Sequence, residues 1–175
     1  RYIAVTGVQT CALPISYEIA RRTLEELNFE VSYTAHGRLK EVPQYKNCDI
    51  RVDHDTSHVQ SQGRKLFVEP LSDKKYRLTI NEGYGTDTTM RFGDIYQDSS
   101  YKFTVYDDTK KSHFSHVKYS FTFHDLNSLA NQYSNKIKVE SQGEESTIIN
   151  LSLQGHVKQK IVDYLNAFCE EYIQY

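Results

Sequence analysis

A continuous apolar stripe near the end of the chain constrains the fold more than any other feature. Its members recur at steps of three, four and one residue along the sequence: Val157, Ile161, Tyr164, Leu165, Phe168 and Tyr172. This spacing places them on one face of an α-helix, while Lys158, Asp163 and Glu170 fall on the other faces. We therefore predict an amphipathic helix over residues 156–175. Because no stop signal precedes Tyr175, we expect the helix to continue in a longer natural chain.

A shorter helix and two strands are predicted just before this stripe. Asp125 offers a side-chain oxygen to the first free amides of a helix. Helical spacing then links the following apolar residues: Leu126, Leu129, Ala130 and Tyr133. The pattern predicts a helix over residues 125–134. Alternation at Ile137 and Val139 predicts one strand, and the run IINLSL at residues 148–153 predicts another.

The rest of the chain predicts one further helix and several short strands. The helix covers residues 17–28 and ends at Asn28, a residue type that suits a helix terminus. From residue 29 to residue 124, apolar and polar residues alternate in short runs rich in Tyr and Phe, which favour strands. The runs ending at Val68 and at Ile80 predict a hairpin. The predicted fold class is α+β, with a mixed, largely antiparallel sheet and helices at about 17–28, 125–134 and 156–175.

The first sixteen residues are predicted to have a separate origin. The stretch VTGVQTCALPI, from Val5 to Ile15, is the in-frame translation of the end of a sequencing-library primer. We therefore interpret residues 1–16 as an adapter-derived artefact without evolved contacts to the core; the alternative is a short apolar strand with a proline turn. Residues 17–175 are then expected to form a single domain, truncated at both ends.

Charge and cysteine content exclude some classes of partner and leave others open. Without Arg1 the chain has 20 basic and 23 acidic residues, a net charge of −3. Nucleic-acid binders usually show a clustered basic face, so no nucleic-acid partner is predicted. Cys48 and Cys169 are far apart in sequence and do not fix the redox compartment. No stretch approaches the roughly 18 apolar residues of a membrane helix.

Candidate chemistry is sparse. The only metal candidates, both weak, are His54 and His58 in the run DHDTSH, where a solvated loop is the favoured interpretation. His113 and His116 could include a general base, but no nucleophile or carboxylate is marked as a partner. The glycine-containing segment 81–86 lacks the strand, glycine and helix order of a phosphate-binding loop. No catalytic residue and no cofactor are therefore predicted.

Four motifs in the last fifty residues resemble a known family. In order they are LNSLAN-x-Y, I-x-V, IINLSL-x-G and K-x-x-DYLNAF-x-E-x-Y. This order resembles the extracytoplasmic region of bacterial polysaccharide co-polymerases, the chain-length determinants that are often fused to a cytoplasmic tyrosine autokinase. The run RTLEELNFEVSY at residues 22–33, followed by Gly37 and Arg38, is similar to the first helix and strand of the same family. The resemblance covers about residues 17–175.

The resemblance implies a role in assembly and no reaction in this domain. It implies the periplasmic part of an inner-membrane protein, with membrane helices outside this fragment, that forms a homo-oligomeric ring. Such a ring helps to set the chain length or export of a surface polysaccharide or exopolysaccharide. The implied partners are a polysaccharide polymerase or an outer-membrane export channel. Tyr172 and Tyr175 are expected on the oligomer or helix-extension surface.

Two functions of other classes compete with this expectation. A secreted carbohydrate-binding module or enzyme accessory domain would stack sugars on exposed aromatic faces, with Tyr76, Tyr101 and Tyr119 as the obvious platforms. A hydrolase fragment would instead use His54 or His116 as its catalytic base. The coding sequence that flanks this fragment would separate these possibilities, because only the co-polymerase requires flanking membrane helices.

Overall fold

The structure, a computed structural model, describes residues 3–6, 12–80, 87–109, 117–141 and 148–174. The elements in these ranges are, in chain order, β1 (Ile3–Thr6), α1 (Ala12–Glu26), β2 (Val31–His36), β3 (Glu41–Gln44), β4 (Ile50–His54), β5 (Lys65–Pro70), β6 (Lys75–Ile80), β7 (Asp87–Arg91), β8 (Ile95–Gln97), β9 (Lys102–Asp107), β10 (Lys118–Phe123), α2 (Leu126–Lys136), β11 (Lys138–Ser141), β12 (Ile148–Ser152) and α3 (Lys158–Gln174). Every described ladder is antiparallel. The predicted α+β class is therefore confirmed.

The chain divides into two compact units. The terminal unit combines Arg1–Glu30 with Asp125–Tyr175, and the central unit is Val31–His124. The central unit is thus an insertion between α1 and α2. An insertion of this kind can fold alone or together with its host, so the single domain over residues 17–175 stays a prediction.

The three predicted helices are present with shifted boundaries. α1 begins at Ala12 instead of Tyr17, and Pro14 lies in its first turn. Proline is tolerated there because the first amides of a helix have no intrahelical acceptor. α2 extends two residues beyond the predicted end at Ser134, and α3 begins two residues after the predicted His156.

The sequence signals at two helix ends are confirmed. Asp125 caps α2, since its carboxylate accepts a hydrogen bond from the Ser128 N–H at 2.7 Å. Asn28 adopts a positive φ of 52° at the end of α1. The Asn28 N–H donates to Glu25 O at 3.1 Å and the Phe29 N–H to Leu24 O at 3.0 Å. This pair of bonds satisfies the last carbonyls of α1 in a Schellman motif.

Aromatic side chains fill the core of the terminal unit. α1 packs against α2 and α3. The Tyr133 and Tyr164 rings lie 4.6 Å apart, and both are within about 6.3 Å of the Phe29 ring. Leu165 and Phe168 of the α3 stripe are buried. The apolar face of α3 is thus covered by α1, by Phe29 and by Tyr133 of α2.

The strands are divided between three sheets. The terminal unit holds β1-β12-β11, and the central unit holds β3-β2-β10-β5-β6-β7 and β4-β9-β8. The predicted hairpin is confirmed as β5 paired with β6. β8 is the shortest of these strands, at residues 95–97. Pro43 lies in β3, and proline is tolerated there because β3 is an edge strand.

The two sheets of the central unit share one hydrophobic core. Phe103 of β9 packs at 5.1 Å, ring to ring, against Phe121 of β10. Alternation defines the inner face, since Ile50 and Val52 of β4 are buried while the residues between and after them are exposed. Cys48 also belongs to this core as a free cysteine, and burial raises the pKa of its thiol to about 11. Its thiol is therefore a poor nucleophile.

Removing residues 1–16 tests their predicted adapter origin. In the structure β1 pairs with β12, although no evolved contact was expected for these residues. A short β-branched run can pair with an open strand edge whatever its origin. We expect a chain that begins at Tyr17 to have a free energy of unfolding within about 1 kcal/mol of the full chain, because β12 keeps its ladder with β11. A larger loss in urea unfolding would contradict the adapter interpretation.

Candidate functional site

The two weak metal candidates, His54 and His58, make different contacts in the structure. His54 ends β4, and its ring packs on the Phe123 ring at 5.3 Å. The Nδ1 atom of His58 lies 2.8 Å from the Val59 carbonyl oxygen. In the described ranges, no group of three or more His, Cys, Asp or Glu residues could hold a metal ion. The favoured interpretation of this segment as a solvated loop stays a prediction.

Asp55, between the two histidines, is held by other partners. Its carboxylate accepts hydrogen bonds from the Ser57 N–H at 2.9 Å and from the Ser57 hydroxyl at 2.6 Å. Lys102 Nζ lies 2.8 Å from the second carboxylate oxygen. The hydrogen bonds from Lys102 and Ser57 hold the pKa of Asp55 well below its usual range. The carboxylate therefore orders the loop after β4.

The tyrosines expected to stack sugars are core residues. Tyr76, Tyr101 and Tyr119 are 0%, 3% and 4% exposed. The Tyr119 hydroxyl donates a hydrogen bond to Asp49 Oδ2 at 2.6 Å. Burial is the largest cause that raises the pKa of Tyr76 and of Tyr101. The prediction that these three tyrosines form a sugar-binding platform is therefore wrong, because none of them presents a ring face to solvent.

The expected oligomer surface is described only in part. Tyr172 is half-buried on the last turn of α3, and the neighbouring Ile173 is 72% exposed. The stripe pattern does not include Ile173, although it adds apolar area beside Tyr172. Tyr175 lies outside the described residues, as do the candidate bases His113 and His116 and the glycine-containing segment 81–86.

A Ser–His–Glu line crosses three neighbouring strands of the six-stranded sheet, β10, β2 and β3. Ser120 Oγ lies 2.8 Å from His36 Nε2, and His36 Nδ1 lies 3.3 Å from Glu41 Oε1. Lys65 Nζ then lies 3.0 Å from Glu41 Oε2. Strand register explains this order: His36 is directly opposite Glu41, and Ser120 is a diagonal neighbour of His36 on the adjacent strand.

The line has the residue order of a catalytic triad, but the described surroundings of Ser120 do not suit catalysis. Ser120 is 2% exposed, so a substrate cannot reach its hydroxyl in this geometry. β10 lies between β2 and β5, so its backbone amides are used in the two ladders. The amides of β10 therefore do not form an oxyanion hole beside Ser120. The Phe67 ring packs on His36 at 5.3 Å. The arrangement supports a structural hydrogen-bond network rather than acyl transfer.

A second Ser–His pair repeats the same geometry farther along the ladder. Ser32 Oγ lies 2.7 Å from His124 Nε2. Ser32 is opposite Thr122, so His124 is again a diagonal neighbour, two residues beyond the paired position. Two such pairs tie β2 to β10 through side chains as well as backbone. Sequence reasoning did not find them because their partners are 84 and 92 residues apart.

Comparison with known proteins adds no family assignment. The sequence matches no protein-family model and has no significant match to a curated protein. In the described part of the chain, no helix has the length and apolar character needed to span a membrane.

Proposed function

We propose that this chain is the extracytoplasmic domain of a polysaccharide co-polymerase, the periplasmic part of an inner-membrane protein. It helps to set the chain length or export of a surface polysaccharide through homo-oligomeric assembly. A polysaccharide polymerase or an outer-membrane export channel is its partner. The domain itself carries out no bond-making step.

One structural observation supports this proposal above all others. The motifs that carry the resemblance are split between the two ends of the sequence, yet they fall largely in the terminal unit. The run RTLEELNF ends α1, and the later motifs supply α2, β11, β12 and α3. α1 packs against both α2 and α3. The two ends of the chain that carry the motifs therefore form one packed unit.

The end of α3 provides the surface for assembly. Phe168 is buried, whereas Tyr172 is half-buried and Ile173 is largely exposed. Apolar side chains thus continue along the helix past the point where the unit's own core ends. Exposed apolar area of this kind is commonly covered by a second subunit. We propose that neighbouring copies of the chain supply that cover.

Extending the chain past Tyr175 by its native continuation tests this mechanism. We expect higher helicity by circular dichroism and stronger self-association by analytical ultracentrifugation, because the added turns lengthen the α3 surface. Replacing Tyr172 and Ile173 by glutamate in the extended chain should reverse the association and leave the helicity intact. Lys158→Glu, on an exposed part of the same helix, is the matched control. An extended chain that stays monomeric and gains no helix would refute the mechanism.

A further inference from the structure

A cleft of about 760 Å³ lies where β7 turns into β8, within the central unit. Its lining includes two cations, Lys75 and Arg91, together with Gly93, Asp94 and Ile95. The cleft shares no lining residue with the Ser–His–Glu line or with α3. The cleft combines two exposed cations with an exposed aliphatic side chain, Ile95, in one concave surface.

The two cations form a like-charge pair. Lys75 and Arg91 are directly opposite each other in the β6–β7 ladder, and both are exposed. Two other cations of this sheet are neutralised, since Arg77 lies 2.9 Å from Glu69 and Lys65 lies 3.0 Å from Glu41. Neither Lys75 nor Arg91 makes an ion pair within the ranges that the structure describes. Like charges at directly opposite positions destabilise a ladder, so an anion bound between them would relieve the repulsion.

The turn beneath the cations is fixed by backbone hydrogen bonds. The Gly93 N–H donates to Val105 O at 2.8 Å, and the Phe92 N–H donates to Lys74 O at 3.1 Å. Gly93 has a φ of 90°, a conformation that L-residues with side chains rarely adopt. The turn is thereby tied both to β9 and to the β5–β6 connection. A site held in this way loses little conformational freedom when a ligand binds.

The remaining lining groups restrict the ligand. Asp94 disfavours a second negative charge nearby, but its carboxylate can accept hydrogen bonds from hydroxyl groups. Ile95 is 64% exposed and offers an aliphatic surface. A ligand that fits has one carboxylate for the cations, hydroxyls for Asp94 and an apolar C–H face for Ile95. A uronic acid unit of a polysaccharide has all three.

We propose that this cleft binds the carboxylate-bearing sugar units of an acidic polysaccharide. The proposal rests on the proposed function for its choice of a glycan. The Lys75 and Arg91 side chains hold the carboxylate by charge-assisted hydrogen bonds. The hydroxyl groups of the sugar donate hydrogen bonds to Asp94, which orients the sugar ring. The apolar face of the ring covers Ile95. The cleft thus gives the polymer a contact point on the central unit, distinct from the assembly surface on α3.

Calorimetric titration of the whole chain with trigalacturonate tests the cleft. We expect binding that weakens as salt is raised, since screening reduces the attraction between the carboxylate and the cations. The double variant Lys75→Gln and Arg91→Gln should bind at least about tenfold more weakly, because it loses two charge-assisted contacts. The matched control, Lys136→Gln with Lys158→Gln in the terminal unit, makes the same change in net charge and should bind like the parent. Neutral maltotriose should not bind.

A charge reversal separates loss of the site from loss of the fold. Arg91→Glu places opposite charges across the ladder from Lys75, so the melting temperature should stay the same or rise while trigalacturonate binding is lost. Equal binding by the parent and the double variant, equal binding of maltotriose, or displacement of trigalacturonate by an equimolar amount of phosphate would each overturn the proposal. Self-association in the extended chain is measured independently, so failure of the cleft and failure of the co-polymerase assignment are distinguishable.

Discussion

Replacing Phe168 by alanine should lower the free energy of unfolding by about 3 to 5 kcal/mol. Phe168 is 4% exposed, and its ring lies 5.8 Å from the Tyr164 ring, which extends the aromatic cluster around Phe29. Truncation removes buried apolar area and leaves a cavity that close-packed aromatic neighbours cannot easily fill. Urea unfolding monitored by circular dichroism measures the loss.

Ile173→Ala on the same helix is the matched control for Phe168→Ala. Ile173 is 72% exposed, so its truncation should change stability by no more than about 0.5 kcal/mol.

Hydrogen exchange in the Phe168 variant also tests the predicted single domain. One cooperative domain requires the central and terminal units to lose protection together. Loss confined to the terminal unit would contradict that prediction, and a total destabilisation below about 1 kcal/mol would contradict the burial of Phe168.

Phe103→Ala should also lower the free energy of unfolding by about 3 to 5 kcal/mol, but the loss of packing lies in the central unit. Phe103 is 2% exposed and packs against rings from both sheets of that unit: Tyr96, Tyr101, Phe121 and Phe123. Its loss removes the main aromatic contact between the β4-β9-β8 sheet and the six-stranded sheet. Thermal unfolding should show the decrease as a lowered midpoint.

The Phe103 variant should also bind trigalacturonate more weakly. Gly93 lines the cleft, and its N–H donates a hydrogen bond to Val105 O on the same strand as Phe103. Loosening β9 therefore disturbs the geometry of the cleft. Val59→Ala, at a position 73% exposed in the same unit, is the control and should leave both stability and binding unchanged. A Phe103 variant as stable as this control would show that the two sheets do not share a core.

Local features of the fold were predictable because their physical causes are local. Asp125 begins α2 and Asn28 ends α1 through hydrogen bonds that span at most five residues, and those signals are visible in the sequence. The hairpin of β5 and β6 likewise follows from two alternating runs joined by a short polar turn. Hydrophobic periodicity identified α3 for the same reason.

Features that depend on strand order were not predictable. Pairing of β10 with both β2 and β5 brings Ser120 to His36, and no periodicity indicates that choice of neighbours. The opposition of Lys75 and Arg91 also appears only when the register of β6 and β7 is known. The same limit explains the error over Tyr76. A tyrosine in an alternating strand can face either solvent or core, and the sheet that covers one face decides between them.

The length distribution of the surface polysaccharide, resolved by gel electrophoresis, tests the central claim most directly. Cells that lack the gene are compared with cells that express the whole natural protein, or the same protein with Tyr172→Glu and Ile173→Glu, at matched protein levels. The co-polymerase assignment predicts that deletion shifts or abolishes the characteristic polymer length, that the natural protein restores it, and that the α3 variant does not. An identical length distribution in cells with and without the gene would contradict the assignment.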